Sequence, residues 1–145
     1  MQVKVKKLND EAKLPVYGSD GAACFDIYCL DTGIHTINPN SSYNFKTGLS
    51  FEIPEGHVMM VFSRSGHGFK YGIRLSNCTG IIDSDYRGEL NVKIHNDGFE
   101  SFVVEGSERI AQAMVVPFDR VEFEVVDELS ETERGTGGLG STGVK

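Results

Sequence analysis

The sequence predicts an all-β domain, a β-sandwich or barrel carrying one short helix and ending in a mobile glycine-rich tail. Three observations predict it. Apolar residues recur with a period of mostly two, the runs they form are short, and turn residues punctuate them at regular intervals. A period of two is the signature of a strand with one buried face, because successive side chains point to opposite sides of a sheet.

The elements follow in order. Val3 and Val5 alternate with lysines, an opening strand. Phe25 and Ile27 flank Asp26 in another. Phe45, Leu49, Phe51 and Ile53 fit strands interrupted at Thr47-Gly48. The unbroken apolar run 58–62 fits a strand buried on both faces. A short helical piece fits near Ser65 to Tyr71, and no stretch supports a helix of three turns. Leu90, Val92 and Ile94 alternate with Asn91, Lys93 and His95. Val121, Phe123 and Val125 alternate with Glu122, Glu124 and Val126, a final strand. Asn38-Pro39-Asn40, Pro54-Glu55-Gly56, Asn96-Asp97-Gly98 and Glu105-Gly106-Ser107 supply turns. Such short strands suit a sandwich or a barrel. No internal repeat appears.

Size and composition narrow the function. A chain of 145 residues holds one domain with its own core. A net charge of −7 with no basic run argues against sequence-independent binding to long nucleic acid, which depends on neutralising many phosphates. No apolar stretch approaches the length of a membrane span, and MQVKVKKLND lacks the apolar core of a signal peptide. Cys24, Cys29 and Cys78 are odd in number and lack CxxC spacing. They read as free thiols in a reducing, cytoplasmic setting. The four histidines form no metal-binding pair.

The tail departs from the rest. Residues 1–130 read as the β domain and 131–145 as a flexible arm. Between Gly135 and Gly143 the only apolar residue is Leu139, too little to offset the entropy of ordering. Yet the arm holds Arg134, Ser141, Thr142 and unhindered backbone N–H groups such as that of Gly138, which suit a phosphate. It lacks the ending of a Walker A loop. A plain flexible end is the other reading.

Four further constellations bear chemistry. Residues 80–89, GIIDSDYRGE, put Asp83, Asp85 and Tyr86 on a turn between two strand-like runs, a hairpin tip that sets a carboxylate beside a flat ring. That suits a ligand with a sugar or base to stack on and a bond for water to attack; a solvated acidic turn has the same composition. Arg64, Ser65 and Gly66 follow the 58–62 run and open the helical piece, offering a guanidinium fork, a hydroxyl and helix-start N–H groups to an anion, or an ordinary helix start. Gln112 lies one period-two step from Ile110 and so faces inward, toward a structural partner or a ligand. Asp26, inside a strand, faces a hydrated metal or pairs with an arginine.

In their order, these pieces resemble the five motifs of the trimeric dUTPase family: residues 21–27, 64–66, 80–88, 109–112 and 134–143. The resemblance spans nearly the whole chain. It implies a β jelly roll, a homotrimer whose sites draw on all three subunits, and conversion of dUTP to dUMP and pyrophosphate with Mg²⁺. That reaction would keep uracil out of DNA and supply dUMP for dTMP synthesis. By similarity, Asp83 would deprotonate the attacking water and Tyr86 would pack on the deoxyribose, excluding a 2′-hydroxyl. Asn77 and nearby backbone, Gly80 included, would read the uracil. Arg64, Ser65, Gly66 and Gln112 would hold the phosphates, and Asp26 would act on Mg²⁺ through water. The tail, through Arg134, Gly138, Ser141 and Thr142, would close over the γ-phosphate. Two residues depart from the family pattern: Cys24 stands where glycine is usual, and Leu139 where a phenylalanine stacks over uracil. The related dCTP deaminases share the fold, but the run Asp83-Ser84-Asp85-Tyr86 does not resemble theirs, in which proline and glycine follow the aspartate. A non-catalytic jelly-roll interaction protein is the rival from another class, and the intact Asp83, Tyr86 and tail argue against it.

Overall fold

Twelve strands and one helix account for the regular structure of the computed structural model, which describes residues 1–30, 32–138 and 141. The strands are β1 (Lys4–Lys7), β2 (Val16–Tyr17), β3 (Phe25–Tyr28), β4 (Ile34–Ile37), β5 (Ser42–Lys46), β6 (Leu49–Glu52) and β7 (His57–Phe62). After helix α1 (Ser65–Tyr71) come β8 (Ile73–Leu75), β9 (Thr79–Ile82), β10 (Asn91–Asn96), β11 (Phe102–Glu105) and β12 (Arg109–Pro117). They form open antiparallel sheets ordered β1-β6, β5-β10-β8, β11-β4 and β2-β3-β12-β7-β9. Neighbours in these sheets are mostly distant in sequence, as in a jelly roll, and no sheet closes into a barrel.

The period-two residues meet in one core. Ile27, Ile37, Phe45, Leu49, Met59, Ile73, Val92, Ile94, Val104 and Ile110 are all buried. Among the described residues the buried polar side chains Thr47, Ser50 and Asn96 are satisfied, Ser50 by the Arg87 carbonyl at 2.7 Å. Thr47 Oγ1 donates to the Leu90 carbonyl at 2.7 Å, and Asn96 Nδ2 donates to the Ile37 and Glu100 carbonyls at 2.8 Å each. Such groups would be costly there unpaired.

The helix lies where the sequence predicts it. It stops at Gly72, whose φ of 68° is the left-handed conformation that only glycine adopts without strain. The Gly72 N–H bonds the Gly68 carbonyl, and Asp97 N–H returns to the Gly72 carbonyl at 3.0 Å, fastening the helix end to the turn after β10.

Four expectations change. First, β9 and β10 do not form a hairpin: β9 pairs with β7, while β10 pairs with β5 and β8, so the 83–90 turn bridges two sheets. Second, β7 is buried on one face only. Met59 and Val61 are in the core, while Val58, Met60 and Phe62 are half-buried. Third, a β-bulge between Arg109 and Ala111 breaks the period of β12. Ile110 and Ala111 both enter the core, and Gln112 emerges on the opposite face, beside Asp26 on β3 and Phe62 on β7. Fourth, residues 121–126 join no strand; Phe123 and Val125 are almost fully exposed. Their alternation is suited to a sheet, but no edge of the same chain receives it.

Candidate active site

The half-buried face of the five-stranded sheet carries the first group of residues. Asp26 on β3 stands opposite Gln112 on β12, which stands opposite Phe62 at the end of β7. Two residues beyond Phe62, the chain turns into α1 through Arg64. Arg64 has extended backbone and makes no side-chain cap, which leaves its guanidinium available to the sheet face. Arg64 Nε donates to Asp26 Oδ1 at 3.2 Å, and Arg109 Nη1 donates to Asp26 Oδ2 at 3.0 Å. Arg64 Nη1 also reaches the Arg109 carbonyl at 3.3 Å.

Of the two readings open for Asp26, the arginine pairing is realised, with two arginines. One carboxylate between two guanidiniums leaves the cluster net positive, and both arginines keep further N–H donors. In an acidic protein, this is a local concentration of positive charge. Cys24, two residues before Asp26, has its thiol pKa pushed up by burial and by the Asp26 charge, so it is a packing residue rather than a thiolate.

Gln112 Nε2 donates to the Ser63 carbonyl at 3.0 Å, and Ser63 Oγ accepts from the Leu75 N–H at 2.9 Å. The segment entering α1 is thereby pinned from both sides. Ser65 and Gly66, both exposed, follow it in the first helical turn, where N–H groups have no intrahelical acceptor.

The second group lies along β9 and its following turn. Asn77 is exposed on the turn before β9, where Cys78 adopts a φ of 62°. Asn77 and Gly80 line a cavity of about 370 Å³ with Val61, Ile82, Leu90 and Val92, a volume in the range of small-ligand pockets. Asp83 and Tyr86 follow on the turn, both exposed. The turn is held firmly. Tyr86 N–H bonds the Asp83 carbonyl at 3.2 Å, Tyr86 Oη donates to the Glu89 carbonyl at 3.1 Å, and Arg87 Nη1 donates to the Ser84 carbonyl at 2.6 Å. Ser50 Oγ on β6 donates to the Arg87 carbonyl at 2.7 Å, fixing the turn to the core. Gly88 lies directly beneath the Tyr86 ring, in a space that a Cβ would overlap.

The two ends of these groups, Asp83 and Arg64, do not meet on one chain. Met59 pairs with Ile82, so Asp83 leaves the ladder at the level of Val58. Arg64 leaves it beyond Phe62, six residues along, a separation of roughly 20 Å at strand rise. The third group, the tail, stands apart as well. Arg134 Nε donates to the Gly137 carbonyl at 2.8 Å, and Ser141 N–H to the Gly138 carbonyl at 2.7 Å, so the bonds described there are local. Leu139 and Thr142 lie outside the described residues.

Sequence reasoning missed three residues of this architecture. Arg109 completes the Asp26 cluster, and its signal was a cation beginning the same RIAQ run as Gln112. Arg87 closes the acidic turn. His67 touches Arg64 from one helical turn away, with Nε2 3.2 Å from Arg64 Nη1.

Fold and site define a jelly-roll-like β protein with an arginine-clamped carboxylate on one sheet face and a braced acidic turn at another edge. The dUTPase family model matches residues 10–143. The deoxyuridine 5′-triphosphate nucleotidohydrolase of Nautilia profundicola is 47% identical over 143 residues, covering 99% of both chains. That of Desulfitobacterium hafniense is 48% identical over 134 residues, covering 91% of this chain and 88% of the relative. Among solved structures, a Staphylococcus bacteriophage 80alpha dUTPase with dUpNHpp superposes with a TM-score of 0.89 at 30% identity, covering 99% of each chain. The chain belongs to the dUTPase family, and it is an enzyme of that class.

Proposed function

We propose that the chain hydrolyses dUTP to dUMP and pyrophosphate, as a homotrimer whose active sites are shared between subunits. The observation that carries the shared site is the distance between Asp83 and Arg64 on one chain. A base for the attacking water and a clamp for the phosphates roughly 20 Å apart cannot act on one triphosphate. Two surfaces support the assembly. Val58, Met60, Met114 and Val116 are half-buried on the face that carries Asp26 and Gln112, and Ile81 on that face is 55% exposed. The 121–126 segment has the alternation of a strand and joins no sheet of its own chain among the described residues. Apolar surfaces of this kind are stable when a partner covers them.

The residues then divide the reaction. Asn77 and Gly80 hold the uracil in the cavity beside β9. Tyr86, braced through Glu89, walls off the deoxyribose where a 2′-hydroxyl would project. Asp83 orients water and takes its proton as the water oxygen bonds the α-phosphorus; the bond from that phosphorus to the bridging oxygen breaks, and pyrophosphate leaves. Arg64, Ser65, Gly66 and Gln112 of another subunit bind the departing charge. The arm of residues 131–145, with Arg134, Gly138, Ser141 and Thr142, closes over the γ-phosphate and excludes water. Leu139 is assigned the apolar contact to the base from that arm.

Mg²⁺ fits this site as a hydrated ion. Among the described residues no cluster of His, Cys, Asp and Glu could ligate a metal directly. Each Asp26 oxygen, however, accepts one arginine N–H and retains a lone pair for a metal-bound water. When bound, Mg²⁺ would neutralise phosphate charge. The product dUMP feeds dTMP synthesis, and loss of dUTP keeps uracil out of DNA. The free cysteines suit a reducing cytoplasm. No helix among the described residues is long and apolar enough to cross a membrane.

Subunit mixing tests the reading. Asp83→Asn is expected to lose most of its kcat and Arg64→Ala to raise KM, so that each releases little pyrophosphate at low dUTP. Unfolding and refolding them together should restore pyrophosphate release from dUTP, because some sites receive both intact residues. Failure of the mixture to regain activity, with trimers formed, would mean that each site is built by one chain.

A further inference from the structure

We infer that His67 is a positioning residue for Arg64: its neutral imidazole holds the guanidinium against the sheet face, ready for phosphate. The inference rests on the phosphate role proposed for Arg64. His67 lies three residues after Arg64, on the same face of α1. Its Nε2 is 3.2 Å from Arg64 Nη1. A guanidinium has donors only, so this nitrogen must accept and the ring proton must sit on Nδ1. Nδ1 is buried and has no hydrogen-bond partner among the described residues, so nothing else determines the tautomer. The ring packs edge-on against Phe102 of β11, with centroids 5.1 Å apart, which fixes its orientation.

Arg64 is therefore gripped at three points: Nε by Asp26, and Nη1 by the Arg109 carbonyl and by His67. Asp26 and the carbonyl lie toward the sheet, and His67 lies on the helix, so the imidazole spans the two supports. A freely rotating arginine would lose rotamer entropy on binding phosphate; a held one has already lost it.

The arrangement works in one protonation state. Protonation at Nε2 would turn the acceptor into a donor and set an imidazolium against a guanidinium. The charges facing His67 are Arg64 and Asp26, and Lys70, Asp97, Glu100 and Glu108 line the cavity beside it. Burial first, and Arg64 second, push the His67 pKa down, while Asp26 opposes them.

The test is steady-state hydrolysis of dUTP by the full chain. His67→Leu should raise KM about fivefold, the loss of one hydrogen bond to a charged donor, with kcat little changed. His67→Gln can still present an acceptor to Arg64 and should restore KM to within about twofold of wild type. As pH falls below 6.5 and through the lowered His67 value, the wild-type KM should rise relative to that of His67→Gln, which does not titrate. In an Arg64→Ala background, His67→Leu should add nothing. A wild-type KM in a folded His67→Leu protein would overturn the inference, as would additive effects with Arg64→Ala. If His67→Leu does not fold, a His67→Gln pH profile that parallels wild type would overturn it instead. If Arg64→Ala itself leaves KM unchanged, the phosphate role of Arg64 has failed; if Arg64→Ala raises KM and His67→Leu does not, only the role of His67 has failed.

Discussion

Asp26 accepts a hydrogen bond from Arg64 Nε at 3.2 Å, joining two residues that lie 38 positions apart in the chain. With Arg109 on its second oxygen, the carboxylate ties β3, the entrance of α1 and the start of β12 into one charged cluster. Its side chain is only 14% exposed, so its partners matter more than those of a surface pair.

Asp26→Asn is expected to weaken that junction. The amide cannot accept on both atoms, and two arginines lose their shared anion. We expect a loss of about 1–3 kcal/mol in unfolding free energy, measured by urea denaturation. The Mg²⁺ concentration for half-maximal activity should rise if Asp26 meets the ion through water, as proposed.

Asp83→Asn tests the base. Asparagine preserves shape but takes no proton, so kcat should fall by about 10²–10⁴-fold. Affinity for a non-hydrolysable dUTP analogue, measured by calorimetry, should be nearly unchanged, because in the proposed mechanism the phosphates are assigned to other groups. Turnover within tenfold of wild type would remove Asp83 from this role.

Gly88 gives a second route to the sugar wall. A methyl group at that position overlaps the Tyr86 ring, which must swing away and release the Glu89 carbonyl. Gly88→Ala and Tyr86→Ala should therefore both narrow the dUTP:UTP ratio of kcat/KM. If Tyr86→Ala leaves the ratio unchanged, another group makes the discrimination.

Truncation after Thr132 tests the arm. The bonds described for residues 134–138 and 141 run to one another and to the adjacent Thr132, so the shortened chain should keep its fold and its melting temperature. Activity should drop sharply if the arm closes over the γ-phosphate, as proposed. A truncated protein that unfolds or dissociates would show the arm to be structural.

Acid should expose His67 as a stability element as well. Its pKa is lowered in the folded protein from an ordinary value of 6.5, chiefly by burial. The unfolded chain therefore binds that proton more readily. The contribution is fully present above 6.5 and is lost as pH falls through the lowered folded value. His67→Gln should flatten the decline of unfolding free energy over that window; an unaltered slope would place the acid sensitivity elsewhere.

The β class, the helix at Ser65–Tyr71 and the chemistry of each motif were legible in the sequence, because they are local. Side-chain alternation is a property of consecutive residues, and Gly72 stops the helix through its own φ. Asp83, Tyr86 and Asn77 likewise come within ten residues of one another. Tertiary structure decided what depends on pairing between distant segments. The bulge after Arg109 turned Gln112 from the core to the face that carries Asp26, because one extra residue inverts every side chain that follows. Arg109 reached Asp26 across 83 positions, a contact that no window of sequence encodes. The 121–126 alternation specified a strand but could not specify its neighbour. A strand is completed only by the edge that accepts its hydrogen bonds, and this segment joins none of the open sheets among the described residues.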